Sequence, residues 1–370
     1  VDHKHPEKLF AIVSPGMEAI CARELAALGM ADLEIVPGGI GFAGRLADLY
    51  RANLQLRTAS RVVVRFARFR CRAFPDLYRA AARLPWGRFL RPDTPVNCRV
   101  TCRNSRLIHT GRVAETLQAA IGHALGREVA PEDAGGQLLL ARVVDDVVEL
   151  SIDSSGELLH RRGYRTSVAA APLRESLAAG VLRLLDWDGG EPLADPLCGT
   201  GTFLIEGALL AARRAPGLQR PFAFMAWPGY RAGLWGQLCA EAQREERPCP
   251  AAISGGDADA GALAAARANL AKAGFEGLVA LQHQSLSSQS IHPGHGLVVC
   301  NPPYGKRLTT EEPLPEYFAG LGRELRRAYP QWRKAMLCPD PSLARATGLP
   351  LREVAQLDNG GLRVWLYATT

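Results

Sequence analysis

The sequence predicts two kinds of fold in one chain: an α+β N-terminal part, then an α/β part built on an open, mostly parallel sheet. Three observations carry this. Up to about residue 158, strand-like and helix-like segments follow one another in no fixed order; beyond Pro172, short apolar strands alternate with helices; and the parts differ in charge. Residues 51–112 hold fifteen arginines against only Asp76 and Asp93, a surplus of 13 positive charges, whereas the rest of the chain sums to −6. A basic module joined to a mildly acidic one is the pattern of a polyanion reader attached to something else. A solvated arginine-rich face gives the same count, since the chain holds only five lysines.

The elements follow in order. Residues 9–13 are a short apolar run that Ser14-Pro15-Gly16 breaks; residues 17–28 have helical spacing at Ile20, Leu25 and Leu28, stopped by Gly29. In the arginine-rich part Val96, Cys98, Val100 and Cys102 share one face of a strand, with Asn97, Arg99, Thr101 and Arg103 on the other. A helix over 110–125 aligns Val113, Leu117 and Ile121, and residues 138–144 and 147–152 form a hairpin around Asp145-Asp146. Residues 159–165 read as a basic connector. Strands are then expected near 193–194, 251–255, 279–282, 296–300, 335–338, 354–357 and 364–367, with helices over 203–214, 261–273 and 316–329. Asp358-Asn359-Gly360-Gly361 turns the last two strands into an antiparallel hairpin.

Several classes are excluded. No run of eighteen apolar residues appears, so no membrane span is expected, and Val1 to Pro6 lacks the apolar core of a signal peptide. The nine cysteines are scattered with no Cys-x-x-Cys pair, so no metal site is expected, and a reducing cytoplasm fits best.

Three constellations carry chemistry. In the first, Asp195-Pro196-Leu197-Cys198-Gly199-Thr200-Gly201-Thr202-Phe203, a strand ends in an acid and a two-glycine turn opens a helix. Glycines allow close approach, the helix N-terminus offers N–H groups to a carboxylate, and Asp195 can take an ammonium group. Leu204 stands where a dinucleotide fingerprint has its third glycine, which disfavours NAD. These features suit the methionine moiety of S-adenosylmethionine. The second, Gly255-Gly256-Asp257-Ala258-Asp259, is again a strand end before a helix. Asp257 is the expected acceptor for both ribose hydroxyls, and Asp259 is the alternative, with helix capping as its competing role.

The third is Cys300-Asn301-Pro302-Pro303-Tyr304-Gly305-Lys306-Arg307-Leu308 after an apolar strand. Pro303 biases Pro302 to an extended backbone. The Asn301 side-chain oxygen and the Pro302 carbonyl then serve as two acceptors for the two hydrogens of an aromatic amine, and Tyr304 offers a face on which a flipped base stacks. Adenine, cytosine and guanine amines all satisfy this logic.

Asn301-Pro302-Pro303-Tyr304 resembles the motif of class I amino-group methyltransferases. Together with Arg161-Arg162-Gly163-Tyr164-Arg165, Ala171-Pro172-Leu173-Arg174-Glu175-Ser176 and the run from Asp195 to Glu206, it is similar to the THUMP-domain RNA guanine-N2 methyltransferases. The resemblance covers nearly the whole chain. It implies an α+β N-terminal ferredoxin-like/THUMP region followed by an α/β Rossmann-like class I methyltransferase, a seven-stranded sheet with an antiparallel C-terminal hairpin. The implied domains are a ferredoxin-like segment (1–60), a THUMP RNA-binding domain (61–158) and a methyltransferase domain with its linker (159–370). The sequence ends after the seventh strand, so the second methyltransferase fused to some rRNA members is expected to be absent.

What the resemblance implies about function is a methyl transfer from S-adenosylmethionine to guanine N2, in 23S rRNA or, alternatively, in the tRNA acceptor stem. Adenine-N6 methylation and a non-catalytic THUMP RNA-binding protein are the further alternatives. The implied cofactor shell is Pro172, Asp195, Pro196, Cys198, Gly199, Gly201, Thr202, Asp257, Ala258, Ser285 and Asn301. Asn301, Pro302, Pro303 and Tyr304 are the expected catalytic set, and Arg99, Arg103, Arg106, Arg161, Arg162 and Arg165 the expected RNA contacts. One departure stands out. Many class I enzymes place an Asp after the third catalytic strand to bind the adenine amino group; here Ser285 occupies that position, beside Gln284.

Overall fold

The computed structural model of the protein describes residues 6–126, 136–165, 173–303 and 313–369. The chain divides into two compact units. The first comprises residues up to Val13, Ala22–Leu159 and Arg220–Ala240; the second comprises Ser14–Cys21, His160–Gln219 and Glu241 onward.

The first unit carries β1 (Glu7–Val13), β2 (Glu34–Val36), β3 (Gly39–Gly44), β4 (Ala59–Arg70), β5 (Val96–Arg103), β6 (Gln137–Val144) and β7 (Val147–Asp153), in the sheet order β2-β3-β1-β4-β7-β6-β5. Its pairings are antiparallel except β5 with β6. The β6–β7 turn is the expected one: Asp145 and Asp146 have φ of 52° and 59°, the positive pair that a two-residue hairpin loop requires. Helices α1 (Glu18–Ala27), α2 (Leu46–Gln55) and α3 (Phe74–Ala82) precede β5 in the chain, and helix α4 (Thr110–Leu125) buries Val113, Leu117 and Ile121, as their spacing predicts.

Strand β4 makes one sheet of what the sequence reads as two domains. Residues 59–64 pair with β1 and residues 63–70 with β7. The boundary at 60/61 therefore falls inside a strand. A second difference concerns residues 220–240, which the sequence reading gives to the C-terminal domain and which belong to the first unit. Aromatic packing is the cause. Phe224 stacks on Tyr50 with ring centroids 4.3 Å apart, and Trp227 meets Phe89 edge-on at 5.1 Å. Trp227 also donates its indole N–H to Gln137 Oε1 at 2.7 Å. Buried aromatics of this size outweigh neighbourhood in sequence.

The second unit carries β8 (Leu193–Asp195), β9 (Ile253–Asp257), β10 (Val279–His283), β11 (Leu297–Cys300), β12 (Arg333–Cys338), β13 (Leu351–Asn359) and β14 (Leu362–Thr369), in the order β10-β9-β8-β11-β12-β14-β13. The pairings from β10 to β12 are parallel, and β14 runs antiparallel to both of its neighbours. Helices α5 (Glu175–Leu184), α6 (Thr202–Ala211), α8 (Ala260–Ala273) and α9 (Leu314–Ala328) cover this sheet, while α7 (Ala232–Arg244) runs from one unit into the other. Helix α6 is buried along its whole length, as its sequence TFLIEGALLA dictates. The chain leaves β8 toward β9 and β10, then returns to place β11 on the other side of β8. That reversal opens a crevice at the C-terminal ends of β8 and β11, where open α/β sheets bind ligands. Among the described residues no helix is long and apolar enough to cross a membrane.

Candidate active site

Asp195 ends β8 and is 2% exposed. One of its oxygens accepts from Leu197 N at 3.1 Å. Burial holds its carboxyl well above the usual carboxylate range, and the nearby Asp257 adds to this. A bound cation would relieve that cost. Gly199 and Gly201 follow at φ 52° and 82°, a conformation that favours glycine. A Cβ on Gly199 would meet nothing within 4 Å, so the loop leaves open space on its outer side. Gly201 then starts α6 without a side-chain cap.

Asp257 ends β9 and is half-buried. Its Oδ2 accepts from Gly199 N at 2.7 Å and its Oδ1 from Asp259 N at 2.9 Å. Gly256 O accepts from Cys198 N at 2.9 Å. The two strand-end loops are thereby stitched together, with the Asp257 carboxylate oriented by two backbone N–H groups. Asp259 takes the competing role: its Oδ1 caps α8 by accepting from Gly261 N at 2.8 Å and Ala262 N at 3.1 Å. Ala258 O lies 3.0 Å from His283 Nε2.

At the end of β10, Ser285 is exposed, and its hydroxyl lies 2.9 and 3.0 Å from those of Ser287 and Ser288. Gln284 donates its backbone N–H to Asp257 O at 3.1 Å and its side-chain amide to Gln282 Oε1 at 2.6 Å. This strand end offers a ligand hydroxyl and amide groups without a carboxylate.

Strand β11 leads through the fully buried Cys300 to Asn301. The Asn301 Oδ1 is buried and has no hydrogen-bond partner among the described residues. An unmet buried acceptor costs about 1–3 kcal/mol, a cost that a ligand N–H would remove. Pro302 is buried and Pro303 half-buried. Tyr304 and Pro172 lie outside the described residues, as do residues 305–308.

The basic connector is where the structure corrects the sequence reading. Arg162 is 3% exposed and lies against Glu206, which is fully buried in α6, at 3.5 Å. Tyr164 donates its hydroxyl to the same Glu206 at 3.2 Å. Arg165 donates to Glu175 Oε1 at 2.9 Å, Thr200 Oγ1 at 3.2 Å, Leu173 O at 3.2 Å and Thr202 Oγ1 at 3.3 Å. Both guanidiniums answer carboxylates inside the fold. The missed signal was Glu206, a lone acid in an otherwise apolar helix, which demands an inward cation. Arg161 is exposed, as are Arg99, Arg103 and Arg106 on the first unit. The loop holding Arg106 is pinned: Asp146 Oδ1 accepts from Arg106 N at 2.8 Å, and Asp146 Oδ2 from Arg72 Nε at 2.9 Å. His160 is pushed down to about 3, by burial first and then by Arg174, Arg162, Arg161 and Arg165. Among the described residues, no three His, Cys, Asp or Glu side chains gather to hold a metal.

Comparison with known proteins places this geometry. Residues 162–364 match the model of the RMKL-like methyltransferase domain, and residues 8–63 that of the RlmL ferredoxin-like domain. The chain is 33% identical over 362 residues to "Putative RNA methyltransferase slr0064" of Synechocystis, covering 95% of this chain and 94% of that one. It is 34% identical to the "Ribosomal RNA large subunit methyltransferase K/L" of Syntrophotalea carbinolica, over 96% of this chain and 52% of the relative. This chain thus spans about half the length of the K/L relatives it matches. Among solved structures, "SMU.472, a putative methyltransferase complexed with SAH" superposes with a TM-score of 0.89 at 29% identity, covering 99% of this chain and 98% of that one.

Proposed function

The chain belongs to the RMKL-like methyltransferase family, and from that premise we propose that it methylates the exocyclic N2 of a guanine in 23S rRNA. It is an RNA methyltransferase dependent on S-adenosylmethionine. The single observation that supports an amino group as the methyl acceptor is the buried, unsatisfied Oδ1 of Asn301 at the end of β11, an acceptor waiting for an N–H.

The strand ends fit S-adenosylmethionine. Asp195 takes the ammonium of its methionine part, which relieves the buried carboxylate. The open face of Gly199 lets the ligand approach the backbone, and Asp257 accepts from the ribose hydroxyls. Pro172, Pro196, Cys198, Gly201, Thr202 and Ala258 complete the proposed shell. Ser285 and Gln284 face the adenine end without a charge. The bound cofactor supplies an electrophilic methyl group carried on a positive sulfur.

Asn301 Oδ1 and the Pro302 carbonyl hold the two amine hydrogens, and Tyr304 stacks on the flipped base. The fixed acceptors favour a pyramidal nitrogen and free its lone pair for in-line attack. As the N–C bond would form, the bond from the methyl to sulfur would break and release a neutral thioether; the nitrogen, acidic once it carries four groups, would then give its extra proton to water, so no strong general base is required. Catalysis is then orientation and exclusion of water. The choice of guanine over adenine or cytosine rests on family. Residues 61–158 act as a THUMP RNA-binding region, with Arg99, Arg103, Arg106 and Arg161 meeting phosphates.

The test is transfer of labelled methyl groups to modification-deficient 23S rRNA and tRNA, followed by nucleoside analysis. N2-methylguanosine in 23S rRNA is expected. Methylation of tRNA alone would overturn the substrate, N6-methyladenosine would overturn the base, and RNA binding without measurable S-adenosylmethionine binding would make the protein an RNA binder only.

A further inference from the structure

We propose that Arg165 is a positioning residue for the cofactor: it clamps the glycine loop against the start of α5, and the loop geometry that receives the cofactor depends on that clamp. The proposal rests on the cofactor reading above. Arg165 comes from the connector, outside the β8–α6 loop it acts on. Its guanidinium reaches four oxygens from three places in the chain: Glu175 Oε1 in α5, Leu173 O just before α5, and the hydroxyls of Thr200 and Thr202 on either side of Gly201. Glu175 is 3% exposed, so the charge that orients Arg165 is itself fixed by burial.

The loop is also held from the core side, where Cys198 N donates to Gly256 O at 2.9 Å. Asp257 Oδ2 accepts from Gly199 N at 2.7 Å, and Asn269 Nδ2 donates to Thr200 O at 3.1 Å. Those contacts tie the loop to β9 and α8, inside the sheet–helix core. Arg165 supplies the opposing hold through side chains. Without it, the Thr200 and Thr202 hydroxyls lose a shared donor, and two glycines at positive φ have little intrinsic preference for the bound shape. The loop then samples other conformers, and the cofactor pays for ordering it. A lysine cannot replace the clamp, because one ammonium on a flexible stem does not span a carboxylate, a carbonyl and two hydroxyls in the fixed geometry of a guanidinium.

The experiment compares the parent chain with Arg165→Ala, Arg165→Gln and Arg165→Lys by calorimetric titration with S-adenosylmethionine, by kcat and KM for cofactor, and by the salt dependence of RNA binding. Arg165→Ala is expected to raise the cofactor Kd and KM about tenfold, the effect of losing one charge-assisted interaction, while kcat at saturating cofactor stays within a few-fold. Arg165→Lys should recover little of the loss, and the salt slope should stay parental in every variant. A purely structural role would instead lower the folded fraction and kcat together, leaving KM for cofactor unchanged; that pattern overturns the proposal. So does parental cofactor affinity in the Ala and Gln variants, or a salt slope reduced by one. If Arg165→Ala fails to fold, Arg165→Gln, whose amide reaches fewer oxygens, carries the same comparison. Asp257→Ala is measured alongside: parental affinity there as well would sink the cofactor reading itself, whereas loss in Asp257→Ala with none at Arg165 sinks only the clamp.

Discussion

Two seven-stranded sheets in one chain handle charge in opposite ways. The sheet of the first unit spreads its charges along strand faces: Arg99 and Arg103 alternate with half-buried apolar side chains on β5, each exposed to water. The sheet of the second unit keeps its central strands apolar and concentrates polar groups where those strands end, at Asp195, Asp257 and Asn301. In water a charge interacts weakly and is screened by salt; at a buried strand end the same charge is desolvated and strongly directional. The first arrangement suits a long polyanion met at many points, the second a small ligand met at a few. Single substitutions should therefore have large, specific effects at the strand ends of the second unit and small, additive effects on the faces of the first.

Asn301→Ala gives the largest expected effect. Cofactor affinity by calorimetry should stay near that of the parent, while turnover falls on the order of 100-fold or more, because a misheld nucleophile forfeits the orientation advantage. A fully active variant would break the contrast at its strongest point. Asp257→Ala comes next, with a loss of cofactor affinity of about 1.5–3 kcal/mol, or roughly 10- to 150-fold. Because Asp257 also holds Gly199 N, Asp257→Asn sharpens the measurement by keeping an acceptor for the loop while removing the charge. Equal affinity of Asp257→Ala and parent would remove the ribose assignment. The smallest effects belong to Arg99→Ala, Arg103→Ala and Arg106→Ala. Each should weaken RNA binding alike across sequences and flatten its salt dependence by about one unit. Unchanged slopes in all three would reduce the basic face to a solvated surface.

How much of this was legible in the sequence depended on the range of the interaction that decides it. Helix α4 and the alternation of β5 follow from local period and came out with the expected bounds and faces. The strand-end motifs were legible because strand, turn and helix lie within ten residues of one another. Asp257 ends its strand as expected, and Asp259 caps α8, the competing role that the sequence offered it. Strand β3, Gly39–Gly44, was not located by residue, because GIGFAG carries three glycines and little strand propensity; its pairing with β1 makes it a strand. The joining of two expected domains by β4, and the place of residues 220–240 in the first unit, depend on partners far away in sequence. Arg162 and Arg165 were misread for a different reason. Charge is visible in a sequence, but direction is not, and only Glu206 and Glu175 on inward helix faces reveal that those two arginines point into the protein.

The return of residues 220–240 to the first unit also fixes an order of events in time. Tyr50 accepts a hydrogen bond from Arg231 N, 181 residues later, and Gln137 one from Trp227, 90 residues later. A chain emerging at about 5–20 residues per second builds β1 to β7 early, yet the aromatic side chains that finish their core arrive only with the stretch up to Ala240. During synthesis the N-terminal unit must therefore wait, with Tyr50 short of Phe224 and Phe89 short of Trp227, until β8, α6 and the glycine loop have already left the ribosome. The half of the molecule that is begun first is thus completed only after the other half has been started.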